Sequence, residues 1–382
     1  MKGTDQKRER NSNMIQQLFR LLINLLQKIV AFVQSFFGNN AGTVVFDNGI
    51  VHLGTKIAEG GFSYIYSAHD DRYPSKRYAV KRIQCPDNDI VQACLQEEKV
   101  HLSLGNLHPN IMPLLGFKLD NSYKQRLCYM LFPLIEGGSL RDEVTKRNLL
   151  KDDFQEKRIQ QPFSERQVLY LFQQLLQGVS AVHNEGLAHC DIKLENILLG
   201  DQDVYARDEE IGGSLNLGKP ILMDFGSARN LIVKLSDRRT VLKLTEEAAQ
   251  NSTVSYRAPE LFEGGCRHGP DEPDIDGKID VWSCGCVLYG MMYGTSPFEM
   301  EFRQDGSIRI VDCNYLRVLG GKVPAPPAHL TVGQRYSKDL FDMVQWILKV
   351  DRNERPSLSD VVTKTELMIS EGKFGISKRQ FV

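Results

Sequence analysis

The chain has 382 residues, which at about 150 residues per domain predicts two or three folding units. Its apolar (42%) and charged (25%) residues are in the proportions of a globular protein, which excludes collagen-like, disulfide-scaffold and wholly disordered classes. The 47 basic and 48 acidic residues give a formal net charge of −1, which argues against a general nucleic-acid binder. The eight cysteines show no C-x-x-C pair and no zinc-like Cys/His spacing, so we interpret them as thiols of a reducing compartment.

The N-terminal region combines basic charge with an amphipathic pattern. Residues 1–13 form a basic tail, and residues 14–37 place polar side chains every three or four positions along an apolar run. This spacing predicts an amphipathic helix, and the net charge of +4 over residues 1–28 favours an interfacial position on an anionic membrane surface. Polar interruptions at Arg20 and Lys28 argue against a secretory signal and a spanning helix. Self-association into a helical bundle and docking on the rest of the chain are the alternatives.

After a glycine-rich break at residues 38–42, the pattern changes to strands and then to helices. Short β-branched and aromatic runs from about Ile50 predict an antiparallel sheet, and helices are expected at 88–104, 280–294, 337–350 and 356–370. Another helix begins at the capping box Ser164–Gln167 and ends at Gly186. The sequence therefore predicts an α+β protein with a small antiparallel-sheet lobe (about 50–133), a larger helical lobe (about 136–370), exposed insertions at 201–219 and 264–278, and a tail at 371–382.

A glycine-rich turn lies between the first two of these strands. Its backbone N–H groups, around Gly60 and Gly61, can approach phosphate oxygens without an intervening side chain, although an ordinary hairpin turn explains it equally well. Lys81 lies on the next strand, on the face opposite Val80. A lysine on a strand is usually a solvated edge charge, but its spacing of 21 residues from Gly60 favours phosphate binding.

Three motifs follow in order, and together they carry a family resemblance. They are HCDIKLEN from His189, MDFG ending at Gly226, and YRAPE ending at Glu260. Because it carries these motifs in this order, the chain resembles the eukaryotic protein kinases over roughly residues 50–370. The resemblance implies a bilobal kinase fold, ATP and Mg²⁺ as cofactors, and transfer of the γ-phosphate of ATP to protein hydroxyls.

The resemblance also implies the catalytic and metal-binding roles. Asp191 would accept the proton of the substrate hydroxyl, and Lys193 would steady the γ-phosphate. Lys81 would hold the α- and β-phosphates, with Glu97 as its carboxylate partner, because Glu97 shares the apolar face of helix 88–104 whereas Glu98 points away. The magnesium ligands would be Asn196 and Asp224.

The nucleotide site is assigned in the same way. Phe132 would be the gatekeeper, the Pro133 carbonyl and the Ile135 N–H would bind adenine, and a core strand ending in a glycine turn is the compatible alternative. The remaining ATP-binding residues implied by the resemblance are Ile57, Ala58, Glu59, Gly60, Gly61, Ile65 and Ala79. Asp280 and Arg355 resemble structural residues of the family, and Arg355 would pair with Glu260.

Finer features indicate a branch of the superfamily. Lys193 and Thr253 resemble serine/threonine rather than tyrosine kinases, and EGGFSYIY, HPNIMPLLGF and SYRAPELF resemble the Numb-associated kinase family. The match is with its membrane-attached, dually lipidated branch, which implies a cytoplasmic kinase on the cytosolic face of Golgi and secretory membranes. That branch carries a myristoylated glycine after the initiator Met and nearby palmitoylated cysteines. Here Lys2 follows Met1, and the first cysteine is Cys85, so we expect neither anchor to form by that route.

Other departures leave a second hypothesis. Ala58 and Ser63 stand at loop-glycine positions, and Cys190 replaces the arginine that normally pairs with an activation-loop phosphate. The alternative is therefore a membrane-tethered pseudokinase that acts as a binding scaffold. Because Cys190 cannot pair with a phosphate, we expect the activation segment (about 224–260) to be held mainly by its own packing, with a helix over residues 231–249. Phosphorylation at Ser252, Thr253 or Ser255 would then matter little.

Overall fold

The computed structural model of the protein describes residues 42–60, 63–105, 108–122, 125–147, 162–201, 218–263, 265 and 273–372. The predictions for 1–13, 14–37, Gly61, most of both insertions and most of the C-terminal tail lie outside the described residues. The chain divides into two compact units. The sheet unit takes the described residues up to Cys85 together with Gly116–Leu134, and the helical unit takes Pro86–Leu115 and the residues from Ile135 onward.

The sheet unit is a six-stranded antiparallel sheet with the order β1-β2-β3-β4-β6-β5. Its strands are β1 Thr43–Phe46, β2 Gly49–Glu59, β3 Ser63–His69, β4 Tyr78–Gln84, β5 Gly116–Ser122 and β6 Gln125–Pro133. The sequence predicted β2, β3, β4 and β6 but neither β1 nor β5. Both additions are outer strands, and each pairs with a single neighbour, β1 with β2 and β5 with β6. The predicted antiparallel sheet is confirmed.

The helical unit contains longer helices and short strand pairs. The helices are α1 Asn88–Leu104, α2 Leu140–Lys146, α3 Glu165–Asn184, α4 Arg238–Asn251, α5 Lys278–Tyr293, α6 Tyr315–Leu319, α7 Lys338–Ile347 and α8 Leu358–Glu371. The paired strands are β7 Leu187–Ala188 with β10 Arg229–Asn230, β8 Ile197–Gly200 with β9 Lys219–Leu222, and β11 Met300–Phe302 with β12 Ile308–Ile310. Along the described ranges, no helix is long and apolar enough to cross a membrane.

Helix ends follow the signals in the sequence. Ser164 and Gln167 form the predicted capping box of α3, and Gly186 follows its end with φ 71°. α5 is buried along almost its whole length because it is apolar on every side. It forms the centre of the helical core, where the Trp282 ring stacks on Phe298 with 5.4 Å between centroids.

The activation-segment helix begins later than the sequence predicted. α4 begins only at Arg238, where the Asp237 carboxylate accepts the Thr240 N–H as an N-cap. Before the cap, Val233 forms an isolated antiparallel bridge with Ile275 and exchanges two backbone hydrogen bonds of 2.9 Å with it. Extended pairing of a β-branched stretch therefore competes successfully with helix formation before the cap.

Candidate functional site

The loop after β7 carries Asp191, and both oxygens of its carboxylate are held by donors. Oδ1 accepts hydrogen bonds from the Thr253 N–H and hydroxyl, both at 2.9 Å. Oδ2 accepts from Lys193 Nζ at 2.7 Å, and the same ammonium donates to Thr253 Oγ1 at 2.8 Å. Asp191 is only 8% exposed, so this set of charge-assisted bonds fixes its orientation.

Asn196 completes the set of hydrogen bonds around Asp191. It ends a short 3₁₀ turn, Leu194–Asn196, and its amide nitrogen donates to the Asp191 carbonyl at 2.9 Å and to Oδ2 at 3.1 Å. Because the amide nitrogen makes both bonds, the amide oxygen is the atom that can serve as a cation ligand.

The loop after β7 is anchored to the core by Asp280 of α5. Its buried carboxylate accepts the N–H groups of His189 at 2.7 Å and Cys190 at 2.9 Å, and it bonds His183 Nε2 at 2.9 Å. Burial by itself would raise the pKa of Asp280, but the hydrogen bond and charge of His183 and the hydrogen bond from the Cys190 N–H lower it below its usual value. Cys190 adopts φ 68°, a left-handed conformation that strains a non-glycine residue, and the two bonds to Asp280 offset that strain.

His189 joins this loop to the segment that contains Asp224. Its Nδ1 accepts the Asp191 N–H at 3.2 Å, so Nε2 carries the proton and donates to the Met223 carbonyl at 3.1 Å. Met223 returns its N–H to the Asn196 carbonyl at 3.0 Å. Asn196 and Asp224, the two predicted magnesium ligands, therefore lie at the same end of the β8–β9 pair.

Phe225 and Glu97 pack beside this segment. The Phe225 ring lies 5.1 Å from His101 and 5.0 Å from His189, centroid to centroid. Glu97 lies on the buried face of α1, as predicted, and is 5% exposed. A Cβ on Gly226 would lie 3.5 Å from Glu97 Oε2 and 3.6 Å from Asp224 Oδ1, so the two carboxylates flank this glycine.

In the sheet unit, strand register places several predicted nucleotide-binding residues on one face. Lys81 pairs with Ile65 on one side and Met130 on the other, and Ala79 pairs with Phe132. Directly paired residues share a face, as do alternate residues of one strand, so Ile65, Ala79, Lys81 and Phe132 lie together.

The flanking predicted residues lie at the turn and at the end of the sheet. Ala58 pairs with Ile65, Glu59 pairs with Tyr64, and Ile57 is 49% exposed. Gly60 exchanges backbone hydrogen bonds with Ser63 at 2.8 and 3.3 Å. Pro133 ends β6 opposite Tyr78, and Ile135 is the half-buried first residue of the next segment of the helical unit.

The side-chain oxygen atoms of Asn196 and Asp224 suit magnesium better than a transition metal. Among the residues that the structure describes, no group of three or more His, Cys, Asp or Glu side chains could hold a metal ion. Asn196 and Asp224 instead offer hard oxygen atoms. Mg²⁺ is typically bound by one or two such protein ligands together with waters and substrate phosphates.

Sequence reasoning missed two arginines near the site. Arg141 of α2 bonds Glu195 of the 3₁₀ turn at 2.8 Å, and Arg229 of β10 lies 3.7 Å from Glu247 of α4. No motif or spacing relates either arginine to its partner. The only hint in the sequence is their position: Arg141 comes shortly after the predicted linker between the lobes, and Arg229 comes three residues after the MDFG motif.

Comparisons with known proteins agree with this geometry. Residues 51–365 match the protein kinase domain family. The chain is 33% identical over 333 residues to mouse serine/threonine-protein kinase 16 and 32% identical over 336 residues to the human protein of that name, in both cases over 86% of this chain and 93% of the relative. It is also 26% identical over 374 residues to serine/threonine-protein kinase ppk13 of Schizosaccharomyces pombe, over 91% of this chain and 98% of that protein. The expected kinase resemblance and bilobal fold are confirmed, and the chain belongs to the protein kinase domain family as a serine/threonine protein kinase.

Proposed function

We propose that this kinase uses Mg²⁺-bound ATP to phosphorylate Ser and Thr hydroxyls of proteins at the cytosolic face of secretory-pathway membranes. The observation that carries the catalytic part is the set of hydrogen bonds around Asp191. Every bond to its carboxylate in the described structure comes from a donor: Thr253, Lys193 or Asn196. The carboxylate is thereby fixed as an acceptor, which is what orienting a substrate hydroxyl and accepting its proton requires.

The neighbouring residues supply charge and ligands for phosphoryl transfer. Lys193 Nζ lies within hydrogen-bond distance of both Asp191 and Thr253, where a cation can neutralise charge that develops on the transferred group. Asn196 and Asp224 would hold Mg²⁺, which when bound supplies charge neutralisation at the phosphates of ATP. Lys81 would hold the α- and β-phosphates. Positioning and electrostatics are then the main contributions of this chain.

A phosphotransfer assay tests this assignment. Asp191→Asn removes the proton acceptor but keeps the shape, and it should lower the rate by about 10²–10⁴-fold. Lys81→Met should likewise abolish turnover while leaving the fold intact by circular dichroism. Asp312→Asn, an exposed carboxyl of the same unit, is the matched control and should change nothing. An Asp191→Asn variant as active as the control would refute the role of Asp191.

The same assay addresses the alternative suggested by Cys190. A pseudokinase scaffold would bind ATP with Mg²⁺, seen as a thermal shift, but would transfer no phosphate to several generic substrates. Lys81, Asp191, Asn196 and Asp224 are all present, which favours the catalytic reading.

The membrane part of the proposal rests on the sequence of residues 1–37. The wide apolar face of residues 14–37 and the net charge of +4 over residues 1–28 suit an anionic surface. This segment stands where the resembling branch carries its lipid anchors. We therefore propose that it attaches the kinase to the membrane surface.

A further inference from the structure

Arg141, the second residue of α2, uses all three of its guanidinium nitrogens. Nε donates to Glu195 Oε1 at 2.8 Å, Nη1 donates to the Gly294 carbonyl at 2.8 Å, and Nη2 donates to Tyr256 Oη at 3.1 Å. These partners are 54, 153 and 115 residues away along the chain. One side chain therefore connects α2 to three separate segments of the helical unit.

Two of these segments carry the partners of Asp191. Glu195 immediately precedes Asn196, whose amide bonds the Asp191 carboxylate. Tyr256 follows three residues after Thr253, which bonds the other carboxylate oxygen. Arg141 thus binds one residue away from Asn196 and three residues away from Thr253, which lie on opposite sides of the Asp191 carboxylate.

The third partner ties this junction to the core. Gly294 caps the C-terminus of α5 with φ 104°, and helix C-terminal carbonyls attract cations. α5 also carries Asp280, which anchors the start of the loop that follows β7. The guanidinium is therefore held against the end of α5, a helix that is buried along almost its whole length.

The charges and burial at the junction make it selective for arginine. Tyr256 is 2% exposed, and burial raises the pKa of its phenol, which stays protonated. Burial alone would lower the pKa of Arg141, but Tyr256 and Glu195 raise it. A planar guanidinium can donate along three directions at once, whereas the ammonium of lysine is a point charge on a flexible stem and would lose at least one partner.

We infer that Arg141 is a positioning residue for phosphoryl transfer. By binding Glu195 and Tyr256, it holds two segments in place on the two sides of Asp191. The first segment contains Asn196, and the second contains Thr253. The inference rests on the proposed function, because it takes Asn196 to be a magnesium ligand. Displacing Asn196 should raise the Mg²⁺ concentration that the enzyme needs. Displacing Thr253 should slow phosphate transfer at saturating substrate concentrations.

The structure offers a matched control. Arg317 and Glu301 form an ion pair of 2.9 Å with side-chain exposures of 30% and 45%, against 2.8 Å, 23% and 46% for Arg141 and Glu195. We therefore compare Arg141→Ala, Arg141→Lys and Arg317→Ala in the full chain. The assay measures kcat at saturating ATP and peptide, and the Mg²⁺ concentration that gives half the maximal rate.

Arg141→Ala should lower kcat by about ten- to a hundredfold and raise the half-maximal Mg²⁺ concentration several-fold, with Arg141→Lys between it and the wild type. Arg317→Ala should match the wild type. Combining Arg141→Ala with Glu195→Ala should cost little beyond Arg141→Ala alone, because both remove one connection. If Arg141→Ala does not fold, Glu195→Ala and Tyr256→Phe each remove one bond, and each should give a smaller change of the same kind.

Two negative outcomes separate the hypotheses. A wild-type enzyme without Mg²⁺-dependent transfer would overturn the proposed function together with this inference. A Mg²⁺-dependent wild type combined with Arg141→Ala kinetics equal to those of Arg317→Ala would overturn the inference alone. A purely structural role belongs to this second outcome, because it lowers the melting temperature but leaves kcat and the Mg²⁺ midpoint of the folded enzyme unchanged.

Discussion

Arg355 and Glu260 form a bidentate ion pair inside the helical unit. Arg355 Nη1 donates to Glu260 Oε1 at 2.7 Å and Nη2 donates to Oε2 at 2.9 Å, with the two residues 1% and 3% exposed. Arg355 also donates to the carbonyls of Lys278 at 2.8 Å and Lys349 at 3.0 Å. The pairing predicted from the sequence is confirmed, and it ties the end of the activation segment to the start of α5 and the end of α7.

Breaking this pair should destabilise the protein strongly. Arg355→Leu leaves the Glu260 carboxylate buried without its cation, which should lower the free energy of unfolding by about 3–5 kcal/mol in urea titrations at pH 7. Arg317→Leu breaks the half-exposed pair with Glu301 and should cost about 1 kcal/mol or less. Equal losses in the two variants would contradict the structural role of the buried pair.

Asp280 should make stability depend on acid pH. Its pKa is lower in the folded protein than in the unfolded chain, so its contribution is fully present above the unfolded value of about 3.9 and is lost as pH falls through the folded value. Asp280→Asn loses an acceptor for one of the two loop N–H groups, which should cost about 1–3 kcal/mol at pH 7. The stability difference between wild type and variant should shrink below about pH 4 in urea titrations. A difference that stays constant down to pH 3 would count against this account.

The Arg229–Glu247 pair should help to hold the activation segment. The two side chains lie 3.7 Å apart and are 15% and 43% exposed. Glu247→Lys places two cations together and should lower phosphotransfer several-fold, and Arg229→Glu should act similarly. Combining both restores opposite charges and should recover part of the rate. Additive losses in the double variant would show that the pair does not couple.

Removing phosphate from the activation segment should have little effect. Ser252 Oγ accepts from Arg257 Nε at 2.8 Å and donates to the Ala248 carbonyl at 2.8 Å, and Thr253 is already bound to Asp191. Because these bonds order the segment with unmodified hydroxyls, phosphatase treatment should change activity by no more than about threefold. Loss of activity by about a hundredfold would show that a loop phosphate is required.

Residues 14–37 should carry membrane binding. Flotation with vesicles of anionic lipid should recover the full chain but not the 38–382 truncation. Leu22→Glu with Ile29→Glu places charges on the apolar face and should abolish flotation, whereas Gln16→Glu with Gln34→Glu adds the same charge to the polar stripe and should weaken it only modestly. A truncation that floats as well as the full chain would exclude the segment as the anchor.

The sequence by itself determined the features that local patterns encode. Helical periodicity placed Glu97 on the buried face of α1, and the capping box Ser164–Gln167 marked the start of α3. The order of the short motifs assigned the proposed catalytic and magnesium-binding roles to Asp191, Asn196 and Asp224 together, because each motif is a contiguous stretch of a few residues. These signals extend over a few residues and need no knowledge of the fold.

Only the tertiary structure decided which distant residues meet. The partners of Arg141 are 54 to 153 residues away, and no spacing rule relates them. Strands β1 and β5 form because a neighbouring strand supplies their hydrogen bonds. Helix α4 begins late because Val233 forms backbone hydrogen bonds with Ile275. Ion pairs and strand pairs gain their free energy from contacts that exist only after the chain has folded, so sequence patterns with a period of two or 3.6 residues do not report them.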